Sequence, residues 1–205
     1  MQSRNREFIF HDFKFIVNEN VYLPAEDSFL LAEKLDVKKD ERVLDMGTGC
    51  GLLSILSAKT SKNVVAVDIN PYAIRCAKKN AKLNNVVHNI SFIQGDLFAP
   101  FKEKEYFDLI LFNAPYLPEK EQSSISWIER SWAGGLNGRK VIDSFLLRVG
   151  DHLSKKGRFF LIQSTLSNIN TTLLRLNEEQ LTVKIIAEKK LPFFEKLVLI
   201  EAKLN

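Results

Sequence analysis

The chain has little cysteine and little histidine. Of its 205 residues only two are cysteine (Cys50, Cys76) and three are histidine (His11, His88, His152). Two thiols cannot build a disulfide framework, and without a recognisable secretory leader they point to a reduced, cytoplasmic setting. The histidines are scattered and share no ligand spacing with the cysteines, so no metal site is expected. No apolar run approaches the roughly 18 residues that cross a bilayer. Phe8, Ile9 and Phe10, behind a polar start, make too short a run for a secretory segment. Internal repeats, low-complexity tracts and strong Lys/Arg clusters are missing too, and no appended RNA-binding module is visible.

What remains has the make-up of one ordinary globular domain, with 45% hydrophobic and 26% charged residues. A net charge of +4 permits an RNA or acidic protein partner without requiring one. Residues 8–17 read as a short hairpin and 21–35 as a helix, with Pro24 near its start and Glu26 and Asp27 in its first turn. From Arg42 onward strands and helices alternate. Strands are expected at 42–47, 64–69, 90–96, 107–113 and 157–164, with helices at 51–59, 71–85, 139–153 and 168–179, and a terminal hairpin at 181–190 and 195–203. The expected fold is α/β and Rossmann-like: a mostly parallel seven-stranded sheet with an antiparallel last strand and helices on both faces. One domain over 1–205 is expected, with a hairpin-and-helix extension at 1–40 and the core at 41–205.

The first core strand runs into Asp45-Met46-Gly47-Thr48-Gly49-Cys50-Gly51 and then a helix. Glycines at such a turn let a ligand approach the backbone closely. The third glycine comes one residue too early for a dinucleotide fingerprint, and Asp45 would repel a pyrophosphate, which argues against a nicotinamide-dependent oxidoreductase. A carboxylate there suits a ligand with a positive amino group, such as the methionine part of S-adenosylmethionine. Asp68 ends the second strand, where an acid can accept both ribose hydroxyls. Asp96 ends the third and can accept the exocyclic amine of adenine, with Leu97 or Phe98 packing the ring. Each acid alone also fits a cap or turn. Together, three acids ending three successive strands face one crevice.

The fourth strand ends in Asn113-Ala114-Pro115-Tyr116-Leu117-Pro118, which resembles the Asn-Pro-Pro-Tyr motif of methyltransferases acting on planar nitrogens. Resonance ties up an amide lone pair, so two acceptors that grip its N–H groups help orient it. The Asn113 side-chain oxygen and the carbonyl of residue 114 supply them, Tyr116 can stack on the flat acceptor group, and Pro115 fixes the turn. Ala114 replaces a proline of the common motif, which costs rigidity but leaves the carbonyl.

The stretch VYLPAEDSFLLAEKL, and Ser131-Trp132-Ala133-Gly134-Gly135 with Gly138-Arg139, extend the likeness. Together these residues resemble the compact branch of the HemK-like release-factor glutamine methyltransferases, within the class I methyltransferases. The resemblance implies a cytoplasmic enzyme with S-adenosylmethionine as cofactor, lined by Ser28, Asp45, Gly47, Gly49, Asp68, Asp96, Leu97 and Asn113. It implies that Asn113, Pro115 and Tyr116 hold the acceptor, the glutamine of a Gly-Gly-Gln loop in a translation release factor. It also implies a small zinc-binding activator protein at a sheet edge, for which Ile90, Phe92 and Ile93 of the third strand would suit. Two rivals share the motifs: an RNA or DNA amino methyltransferase acting on adenine N6 or guanine N2, and a non-catalytic S-adenosylmethionine-binding subunit.

Overall fold

The computed structural model describes residues 5–119 and 126–204. Strands β1 (Arg6–Phe10) and β2 (Phe13–Val17) form an antiparallel ribbon joined through His11 and Asp12, with His11 in the left-handed region. Its aromatic side chains anchor it: Phe8 stacks on Phe15, and Phe10 stacks on Phe29 of helix α1 (Glu26–Glu33). The helix is shorter than the sequence suggests. Residues 21–25 precede it without helical structure and place Val21, Tyr22 and Pro24 on the wall of a cavity.

The core is strands β3 (Arg42–Met46), β4 (Asn63–Asp68), β5 (Ile90–Gln94), β6 (Phe107–Asn113), β7 (Leu153–Ser164), β8 (Leu181–Lys190) and β9 (Lys196–Leu204). Between them lie helices α2 (Leu52–Ala58), α3 (Pro71–Leu83), α4 (Lys140–Val149) and α5 (Ile169–Glu178). The sheet order is β5-β4-β3-β6-β7-β9-β8. The pairs up to β7 are parallel, and β9 alone runs against both of its neighbours. The chain builds outward from β3 through β4 to β5, then returns to place β6 on the other side of β3. That reversal opens a crevice at the carboxyl ends of β3 and β6.

Both faces of the sheet are covered, so inward positions alternate between two cores. Val43, Leu109 and Leu111 pack with α1, α2 and the ribbon. Leu44, Ile110 and Phe112 pack on the opposite side around Phe145 of α4, whose ring contacts Phe98, Phe112 and Phe159. The free edge of β2 is closed by side chains of α3. Asn84 exchanges two hydrogen bonds with the backbone of Lys14, and Asn80 two with that of Ile16. Asparagines one helical turn apart thus stand in for a neighbouring strand. Strand β7 begins four residues earlier than the sequence suggests, where a short 3-10 turn over Gly150–His152 takes the last turn of the expected helix.

Candidate active site

One cavity of about 470 Å³ opens at the switch point of the sheet, and of the residues singled out above for cofactor or acceptor all but Phe98 line it. On one side is the glycine-rich turn. Gly47, Gly49 and Gly51 all adopt positive φ, which side chains resist. A Cβ at Gly51 would lie 3.0 Å from the backbone of Ala77, so this glycine also lets α3 close against the turn. Asp45 is buried behind the turn, where one of its oxygens accepts from Thr48 Oγ1 at 2.6 Å and from the Ser54 amide at 2.9 Å. Burial pushes its pKa up to about 6 against the pull of those hydrogen bonds.

Asp68 ends β4 and braces the turn from the other side. Its Oδ2 accepts from the Gly49 amide at 2.9 Å and its Oδ1 from the Asn70 amide at 2.8 Å. Each carboxylate oxygen has a second lone pair that remains available to a hydroxyl. Burial raises the pKa of Asp68 as well. Asp96 follows β5 and is exposed at the mouth, and the Gly95 amide ties this corner to the Asp68 carbonyl. Of the two apolar residues after it, Leu97 faces the cavity with a left-handed backbone. Phe98 instead lies in the core, stacked on His152 at 4.6 Å.

The opposite wall is the end of β6. Asn113 Nδ2 donates to Ser28 Oγ at 3.1 Å, and Ser28 Oγ donates to Asp27 Oδ1 at 3.1 Å. The Ser28 proton is committed to the carboxylate, so this hydroxyl can only accept from Asn113. That fixes which way the amide points. Asn113 Oδ1 is left buried with no hydrogen-bond partner among the described residues. A buried acceptor in that state is costly unless something fills it.

Asp27, read from sequence as a first-turn acid, is the hub of this wall. It is buried and also accepts from the Ser28 amide, from the hydroxyl of Tyr22 and from that of Tyr116. Burial and the adjacent Asp27 charge drive both phenols above their ordinary range, so they stay neutral donors. The sequence carried a trace of this hub, an acid directly before Ser28 with Tyr22 five residues earlier, but no periodicity marks it.

The loop after the motif completes the mouth. The amide of Leu117 donates to the carbonyl of Trp132, and the amide of Gly134 to that of Leu117. Trp127, Arg130 and Trp132 join the lining, the Arg130 guanidinium lying over the Trp127 ring. Part of the segment between, residues 120–125, lies outside the described residues.

Comparison with known proteins bears on the lineage and the fold. The family model for the methyltransferase small domain matches residues 24–130. A Methanocaldococcus jannaschii protein, provisionally named a protein N5-glutamine methyltransferase, is 44% identical over 91% of this chain and 93% of its own length. The human Methyltransferase HEMK2 is 37% identical over 70% of this chain and 71% of its own. Among solved structures, the E. cuniculi Mtq2–Trm112 complex, described as responsible for methylation of the eRF1 translation termination factor, superposes with a TM-score of 0.69 at 24% identity. The match covers 91% of this chain and 99% of that one. A tRNA m1G37 methyltransferase of M. jannaschii gives 0.71 at 21% identity, over 100% of this chain and 58% of that one. At such identities the structures establish the shared fold, and the sequence relatives establish the lineage. This chain belongs to the HemK-like glutamine methyltransferase family and is a class I, S-adenosylmethionine-dependent methyltransferase.

Proposed function

We propose that the enzyme methylates the side-chain amide nitrogen of the glutamine in the Gly-Gly-Gln loop of a translation release factor, in the cytoplasm. The observation that carries this reading is Asn113 on the cavity wall, its Oδ1 buried and without a hydrogen-bond partner among the described residues. An incoming amide N–H would satisfy it, and the Ala114 carbonyl is the natural partner for the second N–H. With both hydrogens gripped, the nitrogen is held in one orientation. Positioning of this kind can supply roughly 7–11 kcal/mol of a barrier. Pro115 stiffens the turn, and the Tyr116 ring offers the planar group a face to pack on. Asp27 is surrounded by four donor groups, which suits an anchor better than a base.

The residues on the other wall fit S-adenosylmethionine. Asp68 would receive the ribose hydroxyls, Asp96 the adenine amine, and Leu97 the ring. Asp45 would offset the amino group, with Gly47 and Gly49 allowing close approach and Ser28 next to Asn113. When bound, the cofactor supplies an electrophilic methyl group on a sulfonium.

The reading includes a small zinc-binding activator protein seated on β5, an edge strand of the sheet. Phe92 and Ile93 are half-buried there and pack against the cores on opposite faces of the sheet, while Ile90 is buried in one of them. Among the described residues no helix is long and apolar enough to cross a membrane. The test is methyl transfer from labelled S-adenosylmethionine to a release factor and, separately, to total RNA, each with and without the activator. Label on the loop glutamine, lost when that residue becomes Asn, supports the assignment. Label on RNA alone overturns it. A chain that is soluble, monomeric and fully active alone overturns the activator.

A further inference from the structure

The hairpin between β8 and β9 carries the most exposed aromatic groups among the described residues. Phe193 is 98% and Phe194 103% exposed, and both adopt positive φ, 58° and 64°. Bulky residues rarely hold that conformation, and water is a poor solvent for two adjacent phenyl rings.

The tip is nonetheless held firmly. The Leu191 amide donates to the Glu195 carbonyl at 2.9 Å, closing the loop. Glu195 Oε1 accepts from Ser164 Oγ at 2.6 Å, and the Lys196 amide donates to Thr165 Oγ1 at 3.0 Å. Pro192 stiffens the turn. Leu191 packs on the same core cluster as Tyr116. The rings are thus displayed on a braced support, which lowers the ordering cost of using them as a contact.

Their location points to an occupant. Asn113 is in register with Ile162 of β7, which is in register with Leu199 of β9. Two strand spacings, about 10 Å, separate Asn113 from β9. Because β9 runs antiparallel, its start and the hairpin tip project from the same end of the sheet as the cavity. The Glu195 charge also bears on the Tyr116 phenol, so the hairpin root borders the acceptor wall. The cavity mouth itself displays Trp127, Trp132 and Arg130, residue types that dominate binding energy at protein interfaces. The Phe pair, at the same end of the sheet, lies outside the cavity lining.

We infer that Phe193 and Phe194 form an anchor that inserts into an apolar depression on the folded body of the protein substrate, beside its acceptor loop. The inference rests on the release-factor reading. A glutamine on a mobile loop fills the cavity equally well as a free peptide. Only the folded substrate can also engage the tip.

The test is Phe193→Ser combined with Phe194→Ser, changes at exposed positions, assayed with the activator present. Two substrates are used: the intact release factor and a short peptide carrying its Gly-Gly-Gln loop. The expected result is a KM for the intact protein at least tenfold higher with kcat unchanged, while peptide methylation and S-adenosylmethionine affinity stay at wild-type values. An unchanged KM for the intact protein overturns the anchor. Equal losses on protein and peptide overturn it in favour of a structural role. A wild-type dimer that the variant converts to monomer assigns the tip to self-association, and RNA binding lost in the variant assigns it to nucleic acid. Either result overturns the inference. A wild type silent on both substrates overturns the release-factor reading and the anchor with it.

Discussion

Asn113 is oriented by Ser28, not by its own strand: the 3.1 Å hydrogen bond from its Nδ2 to Ser28 Oγ leaves Oδ1 buried and without a hydrogen-bond partner among the described residues. Asn113→Ala should lower kcat by about 100- to 1,000-fold, the usual loss for removing one preorganised partner of a reacting group. S-adenosylmethionine affinity should change by less than about threefold, because that loss concerns a contact to the acceptor. Ser28→Ala should cost about tenfold in kcat, since the amide keeps its oxygen but loses its brace. Single-turnover kinetics beside calorimetric cofactor titration separate the two effects. Parallel loss of cofactor binding in Asn113→Ala would make the residue a structural support.

Asp27 should matter for both stability and rate. Its carboxylate joins Tyr22, Ser28 and Tyr116 at the acceptor wall. Hydrogen bonds to a charged group contribute about 1.5–3 kcal/mol each, and Asp27→Asn leaves one acceptor oxygen where there were two. A loss of about 2–3 kcal/mol is expected, equivalent to a Tm lower by roughly 4–12 °C at this chain length. The kcat should fall about tenfold. Tyr116→Phe, which removes one donor and keeps the ring, should be milder on both counts. Thermal unfolding and initial rates check this, and an unchanged Tm in Asp27→Asn would show that the hub is not needed for folding.

How much of this was legible beforehand follows from the range of each interaction. The sheet was readable because β4 and β6 each carry four consecutive apolar residues, and α2 and α3 begin at a glycine and a proline. The strand-end acids were readable because a doubly wound sheet places successive carboxyl ends together. The Asp27 hub was not, because its partners Tyr22, Ser28 and Tyr116 converge from a loop, a helix and a distant turn. Nor could residue order choose between Leu97 and Phe98. That choice is made by the left-handed backbone of Leu97 and by the stack Phe98 finds on His152.

Asp68→Ala should act mainly on the cofactor. If Asp68 accepts the two ribose hydroxyls, removing the carboxylate should weaken S-adenosylmethionine binding by about 10- to 100-fold, the equivalent of one or two charge-assisted hydrogen bonds. The side chain also holds the Gly49 and Asn70 amides, so Asp68→Asn serves as the control that retains one acceptor. Calorimetric titration of both variants decides the matter. Unchanged affinity in Asp68→Ala would remove Asp68 from the ribose site.

Asp45 predicts a pH dependence with a definite sign. Its pKa is raised from an ordinary carboxylate value to about 6 by burial. The ligand-free fold therefore binds a proton more tightly than the unfolded chain does. That contribution to stability is fully present below about pH 4 and is lost as the pH rises through about 6. A cofactor ammonium prefers the ionised carboxylate, so affinity should move the other way, weakening about tenfold between pH 7 and pH 5. Asp45→Asn should flatten this profile. Titrations across that range test it, and an Asp45→Asn profile as steep as wild type would assign the proton elsewhere.

Two glycine-to-alanine changes should separate the acceptor loop from the rest of the fold. Gly138 has a φ of +71°, and an added Cβ would lie 2.3 Å from the Tyr116 carbonyl oxygen and 3.0 Å from Ser167 Cβ. Gly150 has a φ of −60° at the end of α4, with nothing within 4 Å of the added atom. Gly150→Ala should be neutral or stabilising by about 0.4–1 kcal/mol, because alanine restricts the unfolded chain and fits the native backbone. Gly138→Ala should destabilise by about 1–3 kcal/mol through left-handed strain and overpacking. It should also push Tyr116 from its position, reducing kcat while cofactor affinity, set by the β3 and β4 ends, holds. Unfolding midpoints and kcat for the pair test this. Wild-type turnover in Gly138→Ala would show that the loop over residues 132–138 yields without moving Tyr116, which would then owe its position to Asp27 and not to that loop.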